Sequence, residues 1–242
     1  MAEREQVLLA SGFVLHQRPY RDSSQLLECM TATHGRIGLV ARGSRRAGNR
    51  QRALLQSFMP LRLSWVRRGE LGRLTNVEPD GLSYALEGQR LLAGFYTNEL
   101  LLRLTARSDP NPEVFSCYSR CLAQLAEATK FARTLRVFEL HLLGALGYGL
   151  ELDGDSATGE PLREDARYVY ELEQGLRRVQ HADADTDSYQ GRDLLSLRDL
   201  KLDDESSVRT AQRLLGRVLR AHLGERPLQS RLVLQDIVSR GL

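Results

Sequence analysis

Apolar residues recur at one spacing up to about residue 80 of this chain and at another beyond it. In the first part the apolar runs are short, include β-branched or aromatic residues, and are cut by turn residues. They are VLLASGFVLHQR (Val7 to Arg18), SQLLECMTATHG (Ser24 to Gly35), RIGLVAR from Arg36, SFMPLRLSWV from Ser57 and LGRLTNVEP from Leu71. In the third run Ile37, Leu39 and Ala41 share one face while Arg36, Gly38, Val40 and Arg42 share the other, the period-two pattern of a half-buried strand. Pro19 with RDSS separates the first two runs, and RRGE, containing Gly69, joins the last two in a tight turn. Five strands in about 80 residues predict a small closed barrel, and the OB-fold has this strand count and size.

From Asp80 the period becomes helical. Tyr84 to Leu104 places Leu91, Leu92, Phe95, Leu100 and Leu102 at helical intervals, and DPNPEVFSCYSRCLAQLAE opens with turn chemistry before continuing as a helix. FARTLRVFELHLLGALGYG is apolar at Phe131, Leu135, Phe138, Leu142 and Leu146 and again at Leu140 and Leu143, which predicts a buried central helix ended by Gly147 and Gly149. Leu150 to Val179 then breaks the pattern with Gly154, Gly159 and Pro161 and alternates in YVYELE, the reading of a small β-hairpin inserted between helices. After the acidic loop QHADADTDSY, the cap LDDESS opens a strongly amphipathic helix. Its apolar side holds Val208, Ala211, Leu214, Leu215, Val218, Leu219 and Leu223, and Arg209, Arg213, Arg217 and Arg220 lie mostly opposite. Gly224 and Pro227 stop it, and SRLVLQDIVSR predicts a short final helix. The expected fold class is α+β: an N-terminal OB-fold barrel over residues 1–80, then a helical domain over 81–242 carrying the hairpin at about 150–180.

Charge adds what the pattern cannot. The net charge is only +3, but it is polarised. Residues 1–80 hold 13 arginines against 7 acids, whereas residues 151–242 hold 14 basic residues against 18 acidic ones. Between Cys29 and Gly69 there is no Asp or Glu, yet nine arginines: Arg36, Arg42, Arg45, Arg46, Arg50, Arg52, Arg62, Arg67 and Arg68. Lysine is rare, at Lys130 and Lys201 alone. GC-rich coding also favours arginine, so clustering rather than abundance carries the argument. Such a field attracts polyanions.

Other chemistries are harder to find. Neither lysine is followed by Ser or Thr, which removes a P-loop, and no nucleophile elbow, zincin helix or dinucleotide fingerprint occurs. His16, His34, His141, His181 and His222 are scattered, with no spacing that pairs one with a nucleophile or a metal. DADTD has carboxylates at Asp183, Asp185 and Asp187 but lacks the glycine and the bidentate glutamate of a calcium loop. Cys29, Cys117 and Cys121 make neither a disulfide framework nor a zinc pattern, and a reducing, cytoplasmic setting is expected. No signal peptide or membrane span is read. A metal-dependent nuclease using Asp203, Asp204 and Glu205 is the enzymatic alternative, although those acids fit a helix N-terminus better.

What remains is the basic barrel. Arginine's planar fork can grip phosphate and stack on bases, and OB-folds bind single strands with a positive groove and aromatic platforms. The expected DNA-binding residues are Arg36, Arg42, Arg45, Arg46, Arg50 and Arg52, with Tyr20 as the aromatic in a turn; Phe13, Phe58 and Trp65 read as core. A different class of function, an OB-like scaffold that binds an acidic protein instead of DNA, would use the same charge.

Taken in order, VLHQRPYRDSSQLLECMTATHGRIGLVARGSRR, LLQSFMPLRLSW, YTNELLLRL, LRVFELHLLGALGYGLEL and GERPLQSR make a chain-long pattern. It resembles the RecO family of bacterial recombination mediators. The resemblance implies a repair protein with no cofactor and no catalytic site, which binds single- and double-stranded DNA and anneals complementary strands without ATP. It further implies action with RecR to help RecA load onto DNA coated by single-strand-binding protein, and a nucleoid-associated location. Many members insert a four-cysteine zinc ribbon where this chain has ELDGDSATGEPLREDARYVYELEQG, which contains no cysteine, so a zinc-free hairpin is expected. Members also recognise the acidic, apolar tail of single-strand-binding protein on the helical domain, and Arg133, Arg136 and Arg120 are the residues that fit that role.

Overall fold

The computed structural model describes residues 4–46, 48–49, 51–180, 187–224 and 226–230. The chain divides into two compact units, Met1–Ala128 with Pro227–Leu242, and Thr129–Arg226.

The first unit is built on five strands: β1 (Glu5–Tyr20), β2 (Ser24–Thr31), β3 (Gly35–Ala41), β4 (Leu61–Arg67) and β5 (Leu71–Pro79). They close as a barrel in the order β1-β2-β3-β5-β4. β1 is long because it serves two neighbours, β4 along its first half and β2 along its second. Bulges at Val7/Ala10 and Val14/His16 bend it between the two pairings. At the first bulge Leu9 has φ 53, and its N–H donates to the Ser64 hydroxyl at 3.0 Å in place of a ladder bond. Closure comes from a parallel pairing of β3 with β5. Gly72 permits it: a Cβ there would sit 2.7 Å from Leu39 Cδ2 and 3.2 Å from Trp65 Cδ1. The alternating residues of the strands, Val14, Leu27, Cys29, Ile37, Leu39, Leu61, Leu63 and Trp65, fill the interior.

The segment between β3 and β4 includes a one-turn helix, α1 (Gln51–Leu54), whose Gln51 N–H donates to the Asn49 side chain at 2.8 Å. Leu55, fully buried, follows it into the core. Helices α2 (Gly88–Leu104) and α3 (Pro112–Glu127) belong to this same unit. Asn111 caps α3 by accepting from Val114 N at 3.0 Å, with Pro112 at the first helical position. Buried Asn98 donates to the Leu15 carbonyl at 2.9 Å and accepts from the Tyr118 hydroxyl at 2.6 Å, which ties β1, α2 and α3 together. Phe13 packs beside them against Phe115 and Tyr118. The change of period near residue 80 therefore marks a change of secondary structure, while the compact units divide at Ala128.

The second unit contains α4 (Ala132–Ala145), a three-stranded sheet of β6 (Arg167–Glu171), β7 (Gly175–Val179) and β8 (Ser188–Gln190), then α5 (Gly191–Arg198) and α6 (Glu205–Leu223). The expected hairpin is β6–β7, and β8 pairs with β6 on its other edge. Tyr168, Tyr170, Leu176 and Tyr189 are buried in this sheet, so apolar side chains pack this cysteine-free segment. Asp204 caps α6, accepting from Ser207 N at 3.0 Å, and that bond holds its carboxyl below the usual range. Glu205 pairs with Arg209 at 2.9 Å. Those two acids of the enzymatic alternative are thus engaged in the helix itself. Buried Asp193 on α5 accepts from Ser206 and Thr210, both at 2.9 Å, and joins α5 to α6. The short helix expected beyond Ser230, and Asp183 and Asp185 of the acidic loop, lie outside the described residues.

Candidate nucleic-acid interface

Pairing across the barrel removes three of the nine clustered arginines from the unpaired set. Arg36 on β3 is diagonal to Glu28 on β2, because Met30 pairs with Arg36 and Glu28 with Gly38. Its Nη1 donates to Glu28 at 2.8 Å, and its other nitrogens bond the Thr105 carbonyl and hydroxyl at 2.8 to 3.2 Å. Arg107 also pairs with Glu28, whose hydrogen bond pushes the Arg107 guanidinium up from its ordinary value. Arg62 pairs with Asp80 at 2.9 Å, and Arg67 with Glu5. The acid-free stretch of sequence is not acid-free in space, and Arg36 is part of the fold's own ion-pair network.

The remaining charge converges at one end of the barrel. The chain leaves β1 at Tyr20, turns through Arg21, Asp22 and Ser23, and enters β2 at Ser24; Arg42, Gly43 and Arg46 follow β3, and Leu71 to Arg73 open β5. The parallel register that sets Val40 beside Arg73 brings these ends together. They line a cleft of about 570 Å³. Its cations are Arg21, Arg42, Arg46 and Arg73, all exposed, and its one carboxylate is Asp22. None of the four arginines forms an ion pair among the described residues. Val40 and Leu71 give the cleft an apolar side, and Leu71 is 43% exposed.

Local geometry places the side chains. Gly43 turns the chain after β3 with φ 69, and the Ser44 hydroxyl donates to the Ala41 carbonyl at 3.0 Å, fixing the tight turn that projects Arg42, Arg45 and Arg46. Arg45 reaches the carbonyls of Arg21 and Asp22 at 3.4 and 3.5 Å, the long limit of hydrogen bonding. Arg21 itself has φ 52, an uncommon conformation for a residue with a Cβ, and its guanidinium lies 5.3 Å from the centre of the half-buried Tyr20 ring.

Of the residues expected at a DNA surface, Arg42, Arg46 and Tyr20 line this cleft, Arg45 and Arg52 are exposed outside its lining, and Arg36 is committed to Glu28. Arg50 lies outside the described residues. Arg21 and Arg73 were not expected; each flanks the acid-free stretch, and only the strand order reveals that they join it. Phe13, Phe58 and Trp65 are 3%, 4% and 0% exposed, as core residues should be.

The three arginines expected to meet an acidic tail do not share one setting. Arg120 is exposed on α3 in the first unit; Arg133 and Arg136 are on α4 in the second. Arg133 is exposed, with one nitrogen donating to the Leu200 carbonyl at 2.7 Å. Arg136 departs from the expectation of a surface residue. It is 8% exposed and pairs at 2.6 Å with Glu139, which is fully buried, because three residues of α4 bring the two onto the same inward face.

Among the described residues no three His, Cys, Asp or Glu side chains are gathered as metal ligands, and no helix is long and apolar enough to cross a membrane. Family models place the chain. The model described as recombination protein O N terminal matches residues 6–81, and that described as recombination protein O C terminal matches residues 86–232. The DNA repair protein RecO of Nitrosococcus oceani is 42% identical over 231 residues, covering 96% of this chain and 94% of the relative. That of Methylococcus capsulatus is 42% identical over 225 residues, covering 93% and 92%. The Haemophilus influenzae protein of the same name is 38% identical over 231 residues, covering 95% and 97%. With both halves matched in order over nearly its whole length, this chain belongs to the RecO family.

Proposed function

We propose that this protein is a non-enzymatic recombination mediator of DNA repair that binds single- and double-stranded DNA through the arginine cleft of its barrel. The observation that carries the reading is the cleft itself: four exposed arginines, an aromatic ring and one carboxylate, converging at the ends of four strands. Guanidinium forks bond phosphate oxygens bidentately, and displacement of condensed counterions supplies the affinity. Tyr20 and the apolar side at Val40 and Leu71 offer faces to an unstacked base. Because the grip is on phosphates, binding is largely independent of sequence.

The same geometry supports a reading in which the protein anneals strands without ATP. A strand held by its backbone keeps its pairing edges available, and arginines beyond the cleft, such as Arg52 and Arg68, lower the repulsion that a second strand meets. The family resemblance adds RecR as partner, loading of RecA onto DNA coated by single-strand-binding protein, and recognition of that protein's acidic tail. Exposed Arg133 and Arg120 are available for such contacts; Arg136 acts through the integrity of α4 instead.

The test is a titration of a fluorescent single-stranded oligonucleotide with the wild type and with a variant carrying Arg21, Arg42, Arg46 and Arg73 all changed to Ala. Loss of affinity with an unchanged thermal midpoint supports the proposal. Unchanged affinity refutes it. Poly-dT that fails to displace a bound acidic protein would favour a protein scaffold.

A further inference from the structure

Tyr148 and His222 lie ring on ring in the second unit, with centroids 3.9 Å apart and planes 20° from parallel. Tyr148 is 43% exposed, so this stack is not a core contact. A cleft of about 450 Å³ runs beside it, with Glu151, Tyr170, Leu172 and Glu173 among its walls. The β6–β7 turn forms one side, where Glu173 has φ 67 and Gly175 φ 89, and Leu172 is left 40% exposed. Neither Glu151 nor Glu173 forms an ion pair among the described residues. Burial and then the Glu151 charge push the Tyr170 phenol up, and Arg217 acts in the opposite direction.

These walls make three demands of an occupant. Aromatic faces attract a cation, and a planar guanidinium stacks on them better than an ammonium does. Unpaired carboxylates accept from the same group. Leu172 needs an apolar neighbour. The setting reinforces the sign, since residues 129–226 contain 18 acidic residues against 15 basic ones. A nucleic acid or an acidic peptide meets the wrong charge here, so this cleft is complementary to a ligand opposite in sign to that of the barrel.

We propose that the cleft docks a segment of a partner protein in which an arginine stands beside an apolar side chain. The guanidinium lies over the Tyr148 and His222 stack and bonds Glu151 or Glu173, while the apolar neighbour covers Leu172. This chain's own arginine-rich loop is a poor occupant, because between Gly43 and Arg52 its largest apolar side chain is Ala47.

The test uses the full ¹⁵N-labelled chain and a short capped peptide with a central arginine between leucines. The control is the same peptide with neutral citrulline for arginine. The amide signals of Leu172, Glu173 and Gly175 should move with the arginine peptide, and citrulline should weaken binding by about tenfold. The double variant Glu151→Gln, Glu173→Gln and the single variant Tyr148→Ala should each weaken it by a similar factor, with thermal midpoints confirming that both fold. A single-stranded oligonucleotide should leave these amides in place. Equal affinity for the two peptides overturns the proposal, as do shifts confined to other surfaces. Shifts of the same amides with protein concentration alone would assign the cleft to a second copy and also overturn it.

Discussion

Arg36 Nη1 lies 2.8 Å from a carboxylate oxygen of Glu28, and both side chains are only 14% exposed. An arginine drawn from the most basic stretch of the sequence is thus part of the barrel's construction. Removing it leaves Glu28 sharing a half-buried site with Arg107 alone. Arg36→Ala should therefore cost about 2 kcal/mol of stability, measured by urea unfolding. Arg42→Ala, which removes an exposed cation with no ion pair, should cost less than about 0.5 kcal/mol while weakening DNA binding. If the two variants exchanged these behaviours, the division between structural and ligand-facing arginines would be wrong.

The turn between β1 and β2 separates stability from binding in one residue. Arg21 occupies a left-handed conformation that glycine adopts freely, so Arg21→Gly should raise stability by about 1 kcal/mol. The same change removes a cation from the cleft and should reduce affinity for single strands. Tyr20→Ala should weaken single-strand binding by about 1 kcal/mol or more and double-strand binding less, because paired bases do not leave their stack to meet the ring. Thermal melts and anisotropy titrations on the same samples read both effects.

On α4, Arg136 and Glu139 form a buried pair, while neighbouring Arg133 is exposed. Breaking the pair by Arg136→Ala should cost about 3 kcal/mol and would disturb any ligand of this helix indirectly. Arg133→Ala should leave the unfolding midpoint nearly unchanged and weaken binding of an acidic tail peptide. A conservative replacement of both buried partners by Met and Leu should restore stability, which a direct ligand role for Arg136 would not allow to restore binding.

The cysteines give a pH prediction. Burial pushes the Cys117 thiol up to about 12, opposed by nearby Arg120, and pushes Cys29 higher still, with the Glu28 charge adding to it. For an acid whose folded value is raised, the neutral form is favoured by folding, and stability falls only as pH rises above the unfolded value near 8.5. At pH 7 to 8 these thiols should resist iodoacetamide in the native protein and react within minutes in urea, as mass spectrometry would record. Rapid native alkylation would contradict their burial.

The barrel strands were legible because alternation and turn residues are local signals, as in Ile37, Leu39 and Ala41 of β3. The central helices were legible for the same reason. What escaped was non-local. The parallel pairing of Val40 with Arg73 has no local signature, and it alone brings Arg73 and Arg21 to one cleft with Arg42 and Arg46. Glu28 precedes the acid-free stretch by one residue, yet the β2–β3 register places it diagonal to Arg36. Similarly, a ligand role places Arg136 at the surface, and nothing in the local pattern shows that it turns inward to Glu139 one helical turn on. β8 and α5 escaped because each is short and follows an acidic segment with turn composition.

If Arg21, Arg42, Arg46 and Arg73 bind a phosphodiester backbone, the salt dependence of binding reports how many phosphates they neutralise. For single strands each neutralised phosphate contributes about 0.7 to the slope of log affinity against log salt. Changing Arg21, Arg42, Arg46 and Arg73 to Ala together should therefore flatten the slope by about 3 without loss of fold. A variant whose slope matches that of the wild type would show that the cleft does not contact the backbone.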